Sequence, residues 1–285
     1  VERTGLMDKL KRKLLYVIVL AAIISFFNPQ SAFALEKEIY ITVKINGAFV
    51  KTEVTPYLKK DNVYVPLRFV CEALNADVSW MPEENTALIS YGTKYIQLMT
   101  SKSNEAVING KKHQLDPPIE LVDGRIMVPA AFIAEHLDGT LKWDESTYSV
   151  VIEKEGITVP DEYKKDYSEE DLIWLARIVD VEAGNLSVEG KLAIANVILN
   201  RKKSPGYPDT IYGVIFDVDS DYVQFPPAFE PGFKERVPSG DSVIAAKMAL
   251  EGVNNVGNCL FFNNAPFKGK EDDLYKVIEG EYFYY

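Results

Sequence analysis

Glu182 is the carboxylate in this chain best placed to do acid–base work. It follows an apolar helical stripe of Leu172, Leu175, Ala176 and Val179, and the helix-stopping pair Gly184-Asn185 comes just after it. A second apolar stripe, Ala193, Ile194, Val197 and Ile198, lies on the far side of that break. A carboxylate held between two such faces loses water, and desolvation raises its pKa. A general acid needs that shift if it is to stay protonated near neutral pH. Position alone leaves a second reading open, in which Glu182 only tips a helix into solvent.

The elements that must position Glu182 are legible in the same stretch, Ser168–Arg201. Ser168 is a candidate N-cap with Asp171 as the partner of a capping box, and Ser187 can cap the second helix. That helix is expected to end near Asn200-Arg201. Turn signals follow at Ser204-Pro205-Gly206 and Tyr207-Pro208-Asp209. Ile211–Phe216 is a short apolar piece, helical turn or strand. Asp217–Arg236 reads as a long loop carrying Tyr222, Gln224, Phe225, Phe229 and Phe233, and long aromatic loops are commonly functional. Its aromatics are expected to help desolvate Glu182 at the mouth of a groove. Pro238-Ser239 opens another helix that stops at Gly252, and Cys259–Asn263 reads as a core strand.

Elimination narrows the chemistry. Residues 168–285 contain no histidine and one cysteine, so neither a Cys/His peptidase, nor a Ser-His-Asp hydrolase, nor a histidine-ligated zinc amidase can be built there. No Gly-rich phosphate loop or dinucleotide fingerprint is present. His113 and His136 lack convergent partners, so no metal and no cofactor are expected. The formal charge of −11 offers no basic footprint for nucleic acid. Carboxylate chemistry in an aromatic-lined groove remains, and it suits glycosidic bonds, where an acid protonates the leaving oxygen.

The 285 residues suggest two domains behind an export segment. Lys9, Lys11, Arg12 and Lys13 precede the mainly apolar run Leu14–Phe27, and Ala32-Phe33-Ala34 supplies a cleavage site after Ala34. The run is shorter than the ~20 residues a spanning helix needs, so no stable membrane span is expected after cleavage. A secreted protein of the cell envelope or wall follows. Residues 36–154 contain an internal repeat at an offset of 63, in which Ile45-Asn46-Gly47 recurs as Ile108-Asn109-Gly110, Val65-Pro66 as Val128-Pro129 and Trp80 as Trp143. Each copy predicts an Asn-Gly hairpin, a strand running into a Pro-led short helix, and a Trp-bearing hairpin. Residues 155–167 are charged and aperiodic and read as a linker. The expected class is α+β, with duplicated β/α half-domains followed by a mainly helical domain at 168–285 that folds on its own.

Two resemblances fall on these halves. The stretches VPLRF…LNADVSW and VPAAF…LDGTLKW resemble the copper amine oxidase N-terminal-like domain of exported Gram-positive proteins. Its name is historical, no ligand cluster is present here, and an accessory or wall-interaction role is implied. Residues 168–285 resemble the SleB-type cell-wall hydrolases, which include spore cortex-lytic enzymes. The resemblance is carried by Glu182-Ala183, Glu189-Gly190 and Ala195-Asn196-Val197-Ile198-Leu199-Asn200-Arg201. Tyr207-Pro208-Asp209-Thr210-Ile211, Gln224-Phe225, Pro238-Ser239 and the closing Phe283-Tyr284 extend it. A lysozyme-like helical fold with a small β element and peptidoglycan cleavage are implied, with Glu182 matching the family's catalytic acid.

The same comparison implies substrate contacts at Gln224, Phe225 and Tyr284, while taken singly Gln224 also reads as a surface residue and Phe225 as a core plug. Asn200 and Arg201 are expected to close their helix and pair with backbone or acidic neighbours. Glu189, in a helix's first turn, is open to a supporting role or a dipole role alone. Departures from the family pattern fall at Leu186, where a second Glu is usual, at Gly184-Asn185 in place of Arg-Gly, and at Glu281, where a His is usual. The leading expectation is a lytic transglycosylase of the MurNAc-GlcNAc bond, working with one carboxylate. The alternatives are a non-catalytic peptidoglycan binder and, less favoured, an envelope scaffold.

Overall fold

The computed structural model describes residues 40–219 and 222–285. The export segment and the cleavage site expected after Ala34 lie outside the described residues. The N-terminal part is β-rich and opens on β1 (Thr42–Ile45), β2 (Ala48–Val50), β3 (Tyr57–Lys59), β4 (Asn62–Pro66) and helix α1 (Leu67–Ala73). β5 (Asp77–Met81), β6 (Thr86–Tyr91) and β7 (Lys94–Met99) follow. The plan then repeats as β8 (Glu105–Ile108), β9 (Lys111–Gln114), β10 (Glu120–Val122), β11 (Arg125–Pro129), α2 (Ala130–His136), β12 (Thr140–Asp144) and β13 (Ser149–Glu153).

The repeat read from the sequence is structural. β4 and β11 pair antiparallel with Val65 opposite Val128, the two residues related by the offset, so the copies meet about a local pseudo-two-fold. Asn46-Gly47 and Asn109-Gly110 both adopt positive φ, the hairpin geometry that Asn and Gly tolerate. The copies also trade hairpins. β1–β2 joins β12–β13 of the second copy through a parallel β1–β13 ladder, and β8–β9 extends β5–β6–β7 of the first. Each of these sheets is thus completed by strands of the other copy.

The C-terminal part is helical: α3 (Glu169–Glu182), α4 (Val188–Lys203), α5 (Ile211–Ile215) and α6 (Gly240–Leu250). The expected caps form. Ser168 and Asp171 make a reciprocal capping box, Ser187 caps α4, and Gly184 takes φ +50 at the break. Both predicted stripes are fully buried. After the short pair β14 (Val218–Asp219) and β15 (Tyr222–Val223), the small sheet is β16 (Phe261–Asn263), β17 (Leu274–Ile278) and β18 (Glu281–Tyr284), ordered β16-β18-β17. The strand expected from Cys259 starts two residues later as an edge, with Phe261 partly exposed. Among the described residues, no helix is long and apolar enough to cross a membrane.

Residues 155–167, read from their charge as a linker, are fastened to their surroundings. Lys51 N donates to Tyr163 O at 2.8 Å and Lys165 N donates to Phe49 O at 2.9 Å. Lys165 and Tyr167 both reach the Glu251 carboxylate. Lys44 on β1 bridges Asp144 at 3.0 Å and Glu169 at 2.6 Å, and the fully buried Lys247 of α6 donates to Thr147 O and Tyr148 O. Phe49 packs into the helical core. Charges paired in this way bind two parts together, and composition alone cannot separate them from solvated ones.

Asp180 ties α3 to α6. It accepts from Ser239 N at 3.0 Å, Ser242 Oγ at 2.8 Å and Arg236 Nε at 2.6 Å. Burial pushes its carboxyl up, but the Ser239, Ser242 and Arg236 donors outweigh burial and hold it down at about 2. A carboxylate whose folded pKa lies below its unfolded value of about 3.9 stabilises the fold above that value, and the gain fades as pH falls toward 2. We expect Asp180→Asn to lose about 2 kcal/mol at pH 7 and much less near pH 2. Denaturant unfolding of both proteins across that range is the check.

Candidate active site

Glu182 is the last residue of α3, where the helix dipole already disfavours a negative charge. It lies at one wall of a cleft of about 620 Å³. Among the described residues, the other charged groups of the cleft are Arg201, from the last turn of α4, and Glu281, from the start of β18. Gln224, Asn263 and Asn264 supply amides, and Phe225, Phe261, Phe262 and Phe267 supply rings. A wall of rings and amides with few charges suits an uncharged, hydroxyl-rich ligand that stacks and hydrogen-bonds along its length.

Burial pushes the Glu182 carboxyl above its ordinary value. The Arg201 guanidinium pulls it back, the Glu281 carboxylate pushes it up again, and the net direction is upward. Glu281 is also raised, by burial. Arg201 is held in place on several sides. Its Nε donates to Leu260 O at 2.7 Å, and its guanidinium lies 5.2 Å from the Phe225 ring centroid, 5.5 Å from Tyr207 and 5.8 Å from Phe261. A buried cation stacked on rings is a fixed charge, the kind that can hold a neighbouring carboxyl at a chosen pKa.

The residues singled out from sequence separate here. Glu182, Gln224, Phe225 and Arg201 share the cleft. Tyr284 is buried behind the cleft, paired in the sheet with Phe261 and bonded to Phe267, whose N donates to its hydroxyl at 3.0 Å and whose ring lies 4.9 Å away. Asn200 is a brace, donating to Gly257 O and Cys259 O at 2.8 and 2.9 Å. Glu189 stands outside the cleft, exposed, with Lys276 4.0 Å away. Leu186, at the departure from the family pattern, packs on the helical core, and a Cβ at Gly190 would fall 2.9 Å from its own Cβ.

The aromatic loop divides in a way its composition does not reveal. Phe225 faces the cleft, but Phe229 and Phe233 gather with Phe216 around Trp174, away from Glu182. A 3-10 turn, Pro226–Phe229, separates Phe225 from those rings. Sequence reasoning missed Glu281, treating it as a lost histidine. A usable signal was present, because Glu281 follows the turn pair Glu279-Gly280 and alternates with core-facing Phe283.

Comparison with known proteins places two families on the chain. Residues 44–152 match the family described as Copper amine oxidase N-terminal domain, and residues 185–284 match the family described as Cell Wall Hydrolase. The second match begins just after Glu182. A spore cortex-lytic enzyme of Oceanobacillus iheyensis is 35% identical over 101 residues, covering 34% of this chain and 34% of that protein. One from Bacillus cereus is 30% identical over 115 residues, covering 39% of this chain and 40% of that protein. The chain thus spans well under half the length of these curated relatives. The solved catalytic domain of the germination-specific lytic transglycosylase SleB from Bacillus anthracis is 29% identical, with a TM-score of 0.37. It covers 45% of this chain and all of that domain. Residues 185–284 are thus similar to the cell-wall hydrolase family and residues 44–152 to the copper amine oxidase N-terminal domain family.

Proposed function

We propose that this chain cleaves the glycan strands of peptidoglycan, with Glu182 as the acid that protonates the leaving oxygen of the MurNAc-GlcNAc bond. One observation carries the reading: a carboxylate with a raised pKa ends a buried helix at the wall of a cleft lined by rings and amides. The family matched by residues 185–284 supports the substrate class. In the lytic transglycosylase route, Glu182 then takes the proton of the sugar's own 6-hydroxyl, whose oxygen closes on C1 to give a 1,6-anhydro end. Residues 168–285 form the hydrolase part and residues 36–154 the accessory part. The protein acts as an exported one at the cell wall or spore cortex, and a non-catalytic wall binder is the alternative. Incubation of the purified protein with isolated wall, followed by mass spectrometry of released fragments, tests the reading. Retention on wall with no fragments would leave the binder.

The accessory part carries two grooves related by the repeat. Trp80 and Leu121 rim one of about 480 Å³, while Trp143 and Leu58 rim the other of about 380 Å³, each pairing one copy's helix region with the other copy's hairpin. Both Trp residues are about two-fifths exposed and line these grooves, which leaves each ring face open to a ligand that stacks on it. Changing Trp80 and Trp143 together to Ala is expected to weaken retention on wall by roughly tenfold or more, while soluble oligomers are still cut. Sedimentation with wall and a soluble-substrate assay, run side by side, decide it.

A further inference from the structure

Glu281 is placed with more care than a surface residue would need. Ile278 and Glu281 close a two-residue hairpin whose turn, Glu279-Gly280, has φ of 51° and 90°, the twist that suits such a connection. The Glu279 carboxylate accepts from Ser187 N at 2.9 Å and from the Ser187 hydroxyl, so the turn is clamped to the first turn of α4. An anion at a helix N-terminus is a favourable anchor. Residues 281 and 283 share one face of β18, and Phe283 on that face is fully buried in the helical core. The strand therefore aims Glu281 inward, into the cleft that holds Glu182. Among the described residues, no side chain engages the Glu281 carboxylate by hydrogen bond or ion pair, so its oxygens are left to the cleft.

Two carboxylates sharing a partly desolvated cleft resist double ionisation, so the pair holds one proton where each alone would have lost it. Both carboxyls are raised by burial, and Glu182, at the end of α3 where the helix dipole disfavours a charge, is taken as the proton's holder against the pull of Arg201, with Glu281 as carboxylate. We infer that Glu281 is a second acid–base group of the cleft, activating a water molecule and adding a hydrolytic branch to glycan cleavage. This rests on the glycan-cleaving reading of the Glu182 cleft. In the added branch, Glu182 gives its proton to the leaving oxygen as the C1–O bond breaks. The water oxygen bonds to C1 and the water's proton passes to Glu281, which releases it to solvent while Glu182 regains one. One water is consumed and a reducing end forms. In the other branch, the 6-hydroxyl oxygen bonds to C1, Glu182 takes its proton, and no water is consumed.

The two branches differ in product mass by one water, so a single digest reads both. Purified wall digested by the parental protein should release reducing-end and 1,6-anhydro fragments together. Glu281→Gln keeps the size and should shift the ratio at least tenfold toward the anhydro product. Glu281→Asp keeps a carboxylate and should shift it less. The ratio needs only residual turnover, so a partly impaired variant still reports. Anhydro fragments alone from the parental protein, or the same mixture from Glu281→Gln, would overturn this inference and leave glycan cleavage by Glu182 standing. If the parental protein releases no fragments at all, both readings fall together.

Discussion

Glu182→Gln is expected to lose release of glycan fragments by ~10²–10⁴-fold while keeping the fold, because on the proposed mechanism it removes the group that protonates the leaving oxygen. Gln matches Glu in size, so the cleft wall and the end of α3 stay as they are. The effect on stability has a definite sign. A carboxyl whose folded pKa is raised costs stability once pH passes from its unfolded value up through the folded one, since the folded state must then hold a poorly solvated charge. At neutral pH the neutral amide escapes that cost, and the variant should unfold at equal or slightly higher denaturant. Loss of activity with a gain in stability separates an acid–base role from a structural one. Cleavage at the parental rate would remove Glu182 from the mechanism. Glu189→Gln, changed outside the cleft, should keep most activity.

The legible parts of this chain are those where local rules and tertiary structure agree. The caps at Ser168 and Ser187, the stop at Gly184 and the two apolar stripes need only neighbours a few residues away, and all form as read. The repeat was legible because two copies of one pattern reinforce each other, down to Val65 opposite Val128. What escaped depends on distant partners. Lys44, Lys165 and Lys247 look like solvated charges in sequence but are buried and bonded across the two parts of the chain. Glu281 lies almost a hundred positions from Glu182, and only the β17–β18 turn clamped to Ser187 brings it into the cleft. Tyr284, read from a closing aromatic motif, likewise depends on distant partners, since its ring is buried and its hydroxyl accepts from Phe267 N.

Arg201 and Glu281 bear on Glu182 with opposite signs, so their substitutions should move the pH–rate profile in opposite directions. On the proposed mechanism the active form carries protonated Glu182, which then sets the alkaline limb of kcat/KM. Arg201 favours the ionised form, so Arg201→Met should raise the Glu182 pKa and move that limb to higher pH. Glu281 favours the protonated form, so Glu281→Gln should move it to lower pH. Arg201→Met also leaves the Leu260 carbonyl without its 2.7 Å donor in a buried setting, at a cost of about 1–3 kcal/mol. Met retains the apolar stem between Phe225, Tyr207 and Phe261, which limits loss of packing. Profiles on soluble glycan oligomers, paired with denaturant unfolding, read both effects. If the two limbs shift in the same direction, another group sets the profile, because burial alone would respond to neither charge.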